Sequence, residues 1–536
     1  MCVSRALVPV LFLFLLVFPA LPQSGTGSVS GSVRDQSGSF VPGATATLRN
    51  TATNLTMKTA CNEVGFYMFP GVSPGPYRLV VESPGMERFE GALNVQVQQR
   101  AVVDVVMKVG QTTTEVTVRD VTPMVTVDSP TLGHVLERGR IEQLPINGRN
   151  IGSLLQTVPG MEGNRAFGQK TGTQDMLLDG ASIGDRLWGY TTQRRPPGLD
   201  TIQEFKVENN NSSAKLTRPV TVIVATKSGS NEFHGAAFET ARNNAIGVAR
   251  SRTDTWTKAP KLIRNEFGAS AGGPVWIPKL YDGRNRTFWF FAYEGYRLAA
   301  ESRWNGRVPT EAMRKGDFRE LVDSRGNLSR LYDPWTTDTA SWTRQQFSHG
   351  GQINVIDPSR ISPLAKRLYE ISPLPTHPSV SPMLDSNWWG VAPNTSRQRT
   401  ITTRVDHRFT DNDRFFLRYT KGDEYSFSQD WNLPMLDLIA GSVRRIAPNQ
   451  NASISYVRTF SPTFFNEFLA SAAKDKRYKG TGEPGVKYAD QLGLPNPLGV
   501  PGWPGLYDTG LSNYVFETDN TQDSPDRKST RLNSSH

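Results

Sequence analysis

Cysteine is scarce in this chain of 536 residues, which contains only Cys2 and Cys61. Cys2 lies in an N-terminal leader, so we expect the exported chain to retain Cys61 alone. A single cysteine allows neither an internal disulfide nor a thiolate metal site. Cys61 lies where a strand pattern meets a turn, and burial as a small hydrophobic residue is its ordinary interpretation.

Long apolar runs are also missing. Beyond the N-terminus no stretch approaches the ~18 uncharged apolar residues of a spanning helix. The sequence is therefore not that of a helical membrane protein. A spanning β-strand needs only ~10 residues with every second one apolar, so a membrane β-barrel is not excluded.

The N-terminal apolar run, Ala6 to Phe18, follows Arg5 and leads into small and polar residues that end at Ser24. This order is typical of a signal peptide, which we assign to residues 1–23. A single anchor helix is the alternative, but the run is short for one. We expect the mature protein to start between Leu21 and Gly25.

Catalytic and metal-binding motifs are lacking. The six histidines show no H-E-x-x-H or similar spacing, and no G-x-G-x-x-G or P-loop is present. Two G-x-S-x-G matches surround Ser73 and Ser270, but the first is a turn containing Pro74 and the second a glycine-rich strand. Neither gives the strand–turn–helix that a nucleophile elbow needs. We predict no enzyme, cofactor or metal.

The net charge of +10 comes from scattered Lys and Arg residues. No basic run is interleaved with aromatic residues, as nucleic-acid binding would require. The charge supports no more than a mild attraction to anionic surfaces.

Residues 27–108 contain short alternating stretches, such as Ser28–Arg34, Tyr77–Glu82 and Ala101–Met107, separated by turn signals. This spacing predicts a small antiparallel sandwich. The sequences of Gly31–Asp35 and Asn62–Tyr67 resemble those of the carboxypeptidase regulatory-like domain, a transthyretin-like sandwich. The resemblance implies a module without peptidase activity, similar in fold to carbohydrate-binding modules. A role in ligand binding and a role as a spacer both stay open.

Residues 111–230 mix helical and extended patterns, with helical stretches near 139–144 and 151–157 and a strand over Thr221–Thr226. Several motifs stand in order: Leu144–Asn150, Val158–Gly160, Leu177–Gly180, Ile202–Val207 and Thr226–Gly235. Together they resemble the plug domain of Oar-like TonB-dependent receptors. One departure concerns Leu216–Val220, which stands where the family has a glycine-rich stretch.

Residues 231–526 contain hairpin patterns, Ile401–Thr410 with Phe415–Lys421 and Ala452–Phe460 with Phe464–Lys474. Alternating strands joined by short turns are typical of a membrane barrel, although a soluble sandwich would alternate similarly. The aromatic run Phe288–Phe291 fits an interfacial girdle. A family resemblance favours the membrane barrel over the soluble sandwich. The stretches near Tyr293–Arg297, Gly316–Phe318 and Tyr332–Pro334 are similar to the Oar-like barrel.

The predicted fold class is therefore mainly β: an N-terminal transthyretin-like β-sandwich, a mixed α/β plug and an incomplete transmembrane antiparallel β-barrel. Such transporters close with ~22 strands, and fewer than half of these are readable here. Residues 527–536 lack a strand pattern and look non-native. We expect the chain to be truncated at its C-terminal end.

The resemblance implies a bacterial outer-membrane receptor, with its N-terminal domain in the periplasm, that takes up an unidentified ligand through a plugged barrel. Its expected partners are the TonB complex of the inner membrane, outer-membrane lipid and a ligand of glycan or peptide type. TonB would add a strand to an extended segment. Our candidate segment comprises Thr114, Glu115, Val116, Thr117 and Val118. The alternatives are an outer-membrane-anchored binding or adhesion protein without transport, and a secreted soluble adhesin.

Overall fold

A computed structural model describes most of the chain, with gaps. The described residues are 25–110, 119–120, 132–144, 146–149, 151–162, 165–166, 174–183, 197–210, 220–246, 261–429, 442–461, 464–475, 478–481 and the single residues 487, 490, 493 and 499. The predicted signal peptide, the segment Thr114–Val118 and the predicted tail 527–536 lie outside them. Among the described residues, no helix has the length and apolar character needed to cross a membrane.

The first unit, here called the sandwich, comprises 25–110 together with Arg119–Asp120. Its strands are β1 Gly27–Asp35, β2 Thr45–Asn50, β3 Thr56–Ala60, β4 Phe66–Val72, β5 Gly75–Glu82, β6 Phe89–Val95, β7 Arg100–Val102, β8 Val105–Met107 and β9 Arg119–Asp120. One sheet contains β4, β1, β7 and β8, and the other has the order β3-β2-β5-β6-β9. Alternate residues of β1 and β2, such as Val29, Val33 and Leu48, are fully buried between the sheets.

The sequence predicted this sandwich with three differences. The expected antiparallel arrangement is wrong for β7 and β8, which pair in parallel with β1 because the chain crosses from one sheet to the other after β6. The predicted strand Ala101–Met107 is split into β7 and β8, because the Asp104 carboxylate turns to accept hydrogen bonds from the Ser32 N–H and hydroxyl. Strand β3 was not predicted, since it buries only Met57 and so shows little apolar alternation. Cys61 is buried as expected, and burial raises the pKa of its thiol to about 11.

The second unit, here called the plug, comprises 132–230. Its strands are β10 Leu132–Glu137, β11 Met161–Glu162, β12 Arg165–Ala166, β13 Gln174–Leu178, β14 Ala181–Ser182, β15 Ile202–Asn210 and β16 Val220–Thr226; its helices are α1 Arg138–Gln143 and α2 Gly152–Leu155, with 3-10 turns Asn147–Arg149 and Leu199–Thr201. The sheet order is β10-β15-β16-β13-β14. Every residue of β16 is buried, as expected for a central strand covered on both faces.

One face of the plug sheet packs against the helices. Phe205 and Val222 from this face share a continuous apolar core with Leu154 from α2. The predicted helical stretches and the strand Thr221–Thr226 are therefore confirmed, with small shifts in their ends.

The third unit, here called the barrel wall, comprises 231–481. Its strands are β17 His234–Asn243, β18 Leu262–Pro274, β19 Trp276–Ile277, β20 Tyr281–Asp282, β21 Thr287–Gly306, β22 Ser348–His349, β23 Gln352–Ile353, β24 Trp388–Thr410, β25 Asp413–Gln429, β26 Ser442–Ile446, β27 Asn449–Ser461, β28 Phe464–Asp475 and β29 Tyr478–Thr481. Its helices are α3 Glu311–Arg314 and α4 Pro363–Ile371, with 3-10 turns Asn244–Ile246, Pro334–Thr336 and Pro358–Arg360.

Long antiparallel strands form one sheet in the barrel wall, with β17 at one edge and β28 pairing only with β27 among the described strands. The sheet is open, because β17 and β28 do not pair in the described part of the chain. Strand β24 has 23 residues, about twice the ~10 needed to cross a membrane. The outer ends of β21 and β24 are joined by 307–387, here called the outer loop.

The predicted aromatic girdle is wrong for half of its members. Phe288 and Phe290 are buried on the inner side of β21, while Phe291 is exposed. The reason is the pleat: consecutive residues of a strand point to opposite faces, so a run of four aromatics cannot all face lipid.

The sandwich depends on the absence of a side chain at Gly31. A Cβ there would lie 1.9 Å from the Val103 carbonyl oxygen, which also accepts a hydrogen bond from the Tyr67 hydroxyl at 2.6 Å. We expect Gly31→Ala to lower the free energy of unfolding of the sandwich by about 3 kcal/mol, because the strand must shift. The matched control Ser30→Ala, on the same strand, should change it by less than about 0.5 kcal/mol. Calorimetry of the full chain measures both; equal effects would contradict the close approach.

Candidate functional site at the plug–barrel contact

The barrel wall reverses the polarity of a soluble protein. Its exposed outer face carries apolar side chains, including Val405, Phe409 and Leu417. Polar residues on the opposite face are buried: Thr402, Arg404, Arg418, Thr420, Ser453 and Ser455. An apolar exterior over a polar interior is what a strand needs between lipid and a filled lumen.

The plug contacts this polar face of the barrel wall through the turn that contains Asp179. Asp179 and Gly180 form the two-residue turn between β13 and β14, with φ values of 49° and 85°. Positive φ at both central positions is the geometry of a type I′ hairpin turn, which Asp-Gly favours. The turn places the Asp179 carboxylate, which is buried, against the barrel wall.

Two arginines of the barrel wall bind this carboxylate. Arg404 Nη1 lies 3.3 Å from Asp179 Oδ1, and Arg418 Nε lies 2.8 Å from Oδ2. The plug itself adds two donors, since the Thr226 N–H and hydroxyl donate to the same carboxylate at 2.9 and 2.8 Å. Asp179 therefore joins two neighbouring plug strands to two neighbouring barrel strands.

The arginines are also fixed by the wall. Arg404 Nη2 lies 2.8 Å from Asp406 Oδ1 on its own strand. Arg418, with 0% of its side chain exposed, donates to the Ser453 hydroxyl at 2.8 Å. With Asp179 and Asp406 facing Arg404 and Arg418, the formal charges balance. We call these four residues the ion cluster.

A second polar contact lies farther along the wall. The Asp200 backbone N–H donates to Glu294 Oε1 on β21 at 2.9 Å. The Asp200 carboxylate is bound within the plug by Arg138 and Arg149, at 3.0 and 3.1 Å. These contacts orient the 3-10 turn Leu199–Thr201 toward the wall.

The connector from plug to barrel wall, Lys227–Ser230, runs against the wall. The Ser228 hydroxyl donates to Asp406 Oδ2 at 2.8 Å, so the connector contacts the ion cluster directly. A Cβ at Gly229 would lie 2.4 Å from the Trp289 carbonyl oxygen and 2.7 Å from that of Gly273. Only glycine permits this approach.

The sandwich lies at the short-turn end of the barrel wall. Arg408 and Arg414 flank the turn between β24 and β25 and donate to the carbonyls of Thr56 and Pro70, at 3.3 and 2.7 Å. The Asn231 N–H donates to the Ala52 carbonyl at 3.2 Å. The outer loop is at the opposite end of the same strands.

A cavity of about 330 Å³ lies where the three units meet. Its lining includes Tyr77 from the sandwich, Thr226 from the plug, and Arg404 and Arg414 from the wall. Within the described residues, no three His, Cys, Asp or Glu side chains come together as a metal site would need. The chemistry that the geometry offers is reversible ion pairing and hydrogen bonding between units.

The predicted functional segment Thr114–Val118 lies outside the described residues. The next residues, Arg119–Asp120, pair in parallel with Gly91–Ala92 at the edge of the sandwich. Of the G-x-S-x-G matches, Ser73 lies in the turn between β4 and β5 and Ser270 within β18.

Sequence reasoning did not single out the ion cluster. It placed Arg404 within the alternating strand Ile401–Thr410 and Asp179 in a family motif, but nothing in the sequence paired them. The available signal was charge at inward positions of adjacent strands, where burial without a partner would be unfavourable.

Comparison with known proteins supports the geometry. Residues 225–534 match the family described as outer membrane beta barrel domain. The chain belongs to this outer-membrane β-barrel family. Residues 28–108 match the carboxypeptidase regulatory-like domain, which confirms the predicted resemblance of the sandwich. The protein is thus an outer-membrane protein with its N-terminal sandwich on the periplasmic side, at the short-turn end of the barrel.

Among the relatives of this outer-membrane β-barrel protein is the TonB-dependent transporter Oar of Myxococcus xanthus, 24% identical over 295 residues. The match covers 51% of this chain and 27% of the relative, so the chain spans about a quarter of that protein.

Solved structures with some likeness include the ferric enterobactin receptor PfeA of Pseudomonas aeruginosa, with 10% identity, a TM-score of 0.38, and coverage of 69% of this chain and 44% of that one. The siderophore receptor PirA of Acinetobacter baumannii has 12% identity and a TM-score of 0.33, with coverage of 65% and 45%. Because these TM-scores are low, the assignment of the chain to the outer-membrane β-barrel family rests on the family match and not on these structures.

Removing the charge of Asp179 tests the ion cluster. Asp179→Asn should weaken the plug–wall contact by about 3–5 kcal/mol, because two buried arginines lose their shared carboxylate. Urea titration with pulsed trypsin cleavage of the plug measures this loss.

The matched control is Asp423→Asn on β25, which breaks the exposed pair with Arg399 at 2.7 Å. We expect it to change the same free energy by less than about 1 kcal/mol. If both variants release the plug at the same urea concentration, the ion cluster does not hold it.

Proposed function

We propose that this protein is a TonB-dependent receptor that takes up a ligand through the plugged barrel. The observation that carries the proposal is the ion cluster, in which a plug carboxylate neutralises arginines on the lumen side of the barrel wall. A plug held by paired charges closes the path at rest. The plug can also leave without exposing an apolar core to water, because the polar surfaces of the plug and of the inner wall can both be hydrated.

Energy for such a movement has to come from elsewhere. The outer membrane has no nucleotide supply and no ion gradient of its own. The relative Oar is named a TonB-dependent transporter, and a protein that reaches across from the inner membrane could deliver a pulling force. Several kcal/mol are needed to separate a buried ion pair, which is within the range of one protein–protein contact.

Thr114–Val118 is the segment that we propose for TonB contact. It is rich in β-branched residues and free of Gly and Pro, as strand addition favours. It precedes Arg119–Asp120, which already pair at the sandwich edge. Force applied there would reach the plug through its N-terminal side.

Val116→Pro tests this segment, because proline removes one backbone donor and fixes φ. Binding to the periplasmic domain of TonB should fall at least about tenfold, since strand addition depends on backbone hydrogen bonds. Val116→Ala keeps every backbone group and should stay within about twofold of the parent. A pull-down or titration calorimetry makes the measurement, and undiminished binding by the proline variant would reject the assignment.

The second candidate is binding at the cell surface without transport. Two tryptophans of the outer loop favour it, because the residues Trp335 and Trp342 are 80% and 78% exposed. Trp342 has φ 53°, which is unusual for a bulky residue and indicates a constrained position. Exposed indoles are frequent contact residues in recognition surfaces.

Comparing cells with and without TonB separates the two functions. Transport predicts that plug opening, followed by trypsin cleavage of the plug in whole cells, requires TonB. Surface binding without transport predicts the same cleavage in both strains.

A further inference from the structure

The sandwich contacts the plug through the turn between β6 and β7, at Gln96–Gln99. Val97 at this tip is buried against Leu177, Ile223 and Ala225 of the plug sheet, on the face opposite the helices. The Val97 backbone N–H donates to Glu204 Oε2 at 2.7 Å. One apolar side chain and one backbone donor thus fix the tip on the plug.

Glu204 is an unusual residue to find there. It is buried, and its second oxygen, Oε1, has no hydrogen-bond partner among the described residues. An ionised carboxylate in that position would be strongly disfavoured, whereas a protonated one is tolerated.

A second carboxylate lies beside it. Glu137 on β10 is directly opposite Glu204 on β15 in the antiparallel register. Side chains in that position point to the same face, and like charges there repel. The sandwich tip contacts this residue too, since Gln96 Nε2 and Asn94 Nδ2 donate to Glu137 Oε1 at 3.1 and 3.4 Å.

We propose that the Glu137–Glu204 pair makes docking of the sandwich on the plug sensitive to pH, with proton uptake favouring the docked state. Undocking would return the Glu204 carboxylate to water, where it can ionise. The inference concerns contact between the units and does not depend on transport.

The surrounding charges are consistent with this direction. Burial raises the pKa of Glu204 to about 7; the Val97 N–H opposes the shift, Glu137 adds to it, and Lys206 on the same strand opposes it. The neighbour on β16 is the uncharged Ala225. The tip residues Gln96 to Gln99 carry no charge.

The sign follows from linkage. Because docking raises the pKa of Glu204, its stabilising effect is complete below the ordinary value of 4.5 and is lost as pH rises through about 7. Between pH 5 and pH 8 the docking equilibrium should weaken by about a hundredfold, and it should change little at higher pH.

Hydrogen exchange of the Val97 amide in the full chain, in detergent micelles, measures docking directly. Protection factors corrected for intrinsic exchange should fall by up to about tenfold per pH unit between pH 5 and pH 7. The Leu48 amide in the sandwich core is the internal reference and should stay constant. A flat profile for Val97 would overturn the proposal.

Glu204→Gln keeps the shape and the acceptor but cannot ionise. Its Val97 protection should be independent of pH, at the level of the parent near pH 5. The matched control Glu142→Gln, an exposed plug glutamate on α1, should keep the parental profile. Retained pH dependence in Glu204→Gln would also reject the proposal.

Glu137→Gln is the second variant, which keeps the test decisive if Glu204→Gln does not fold. Removing the like charge should shift the midpoint of the Val97 profile to lower pH while the pH dependence remains. An unchanged midpoint would show that the two carboxylates do not act as a pair.

Discussion

The structure depends on neutralising charge inside the barrel wall. Arg404 and Arg418 face inward from neighbouring strands and are buried, and the plug brings Asp179 to them. Apart, the two units carry unbalanced charge, because the wall has two arginines against the single carboxylate of Asp406 and the plug has Asp179 with only the Thr226 donors. The contacts of Asp179 with Arg404 and Arg418 therefore tie the plug to this part of the wall.

The same requirement organises the surroundings of the cluster. Asp179 reaches the wall only because its turn adopts positive φ at two residues, which is unfavourable for most side chains. Thr226 is nearby because β16 pairs in parallel with β13. The surroundings of the Asp179 carboxylate therefore depend on both a local turn preference and a long-range strand pairing.

Much of this fold was accessible from the sequence. Alternation predicted the sandwich strands and the two hairpins near Ile401 and Ala452, because each has one buried and one exposed face. Alternation could not distinguish lipid from water outside the wall, and family resemblance decided that question. The wrong predictions have physical causes as well. Strand β3 lies at a sheet edge and buries only one side chain, so its alternation is weak. The run Phe288–Phe291 was assigned to one face, although consecutive residues of a strand point to opposite faces.

The ion cluster was not predictable in the same way. Asp179 lies more than two hundred residues before Arg404 and Arg418 in the sequence, and charge alone does not specify a partner. Glu204 gave no sequence signal either, because its burial arises only when the sandwich tip covers the plug sheet. Sites formed between units require the units to be assembled first.

The glycine connector has a mechanical consequence. At Gly229 the backbone lies so close to the carbonyls of Trp289 and Gly273 that no side chain fits, so the exit of the plug is pinned to the inner surface of the barrel. Under the proposed transport function, a pull from the N-terminal side would act on an element tethered at its far end. Such an element would have to swing or unravel from its leading strand, because the pinned connector opposes the departure of an intact plug.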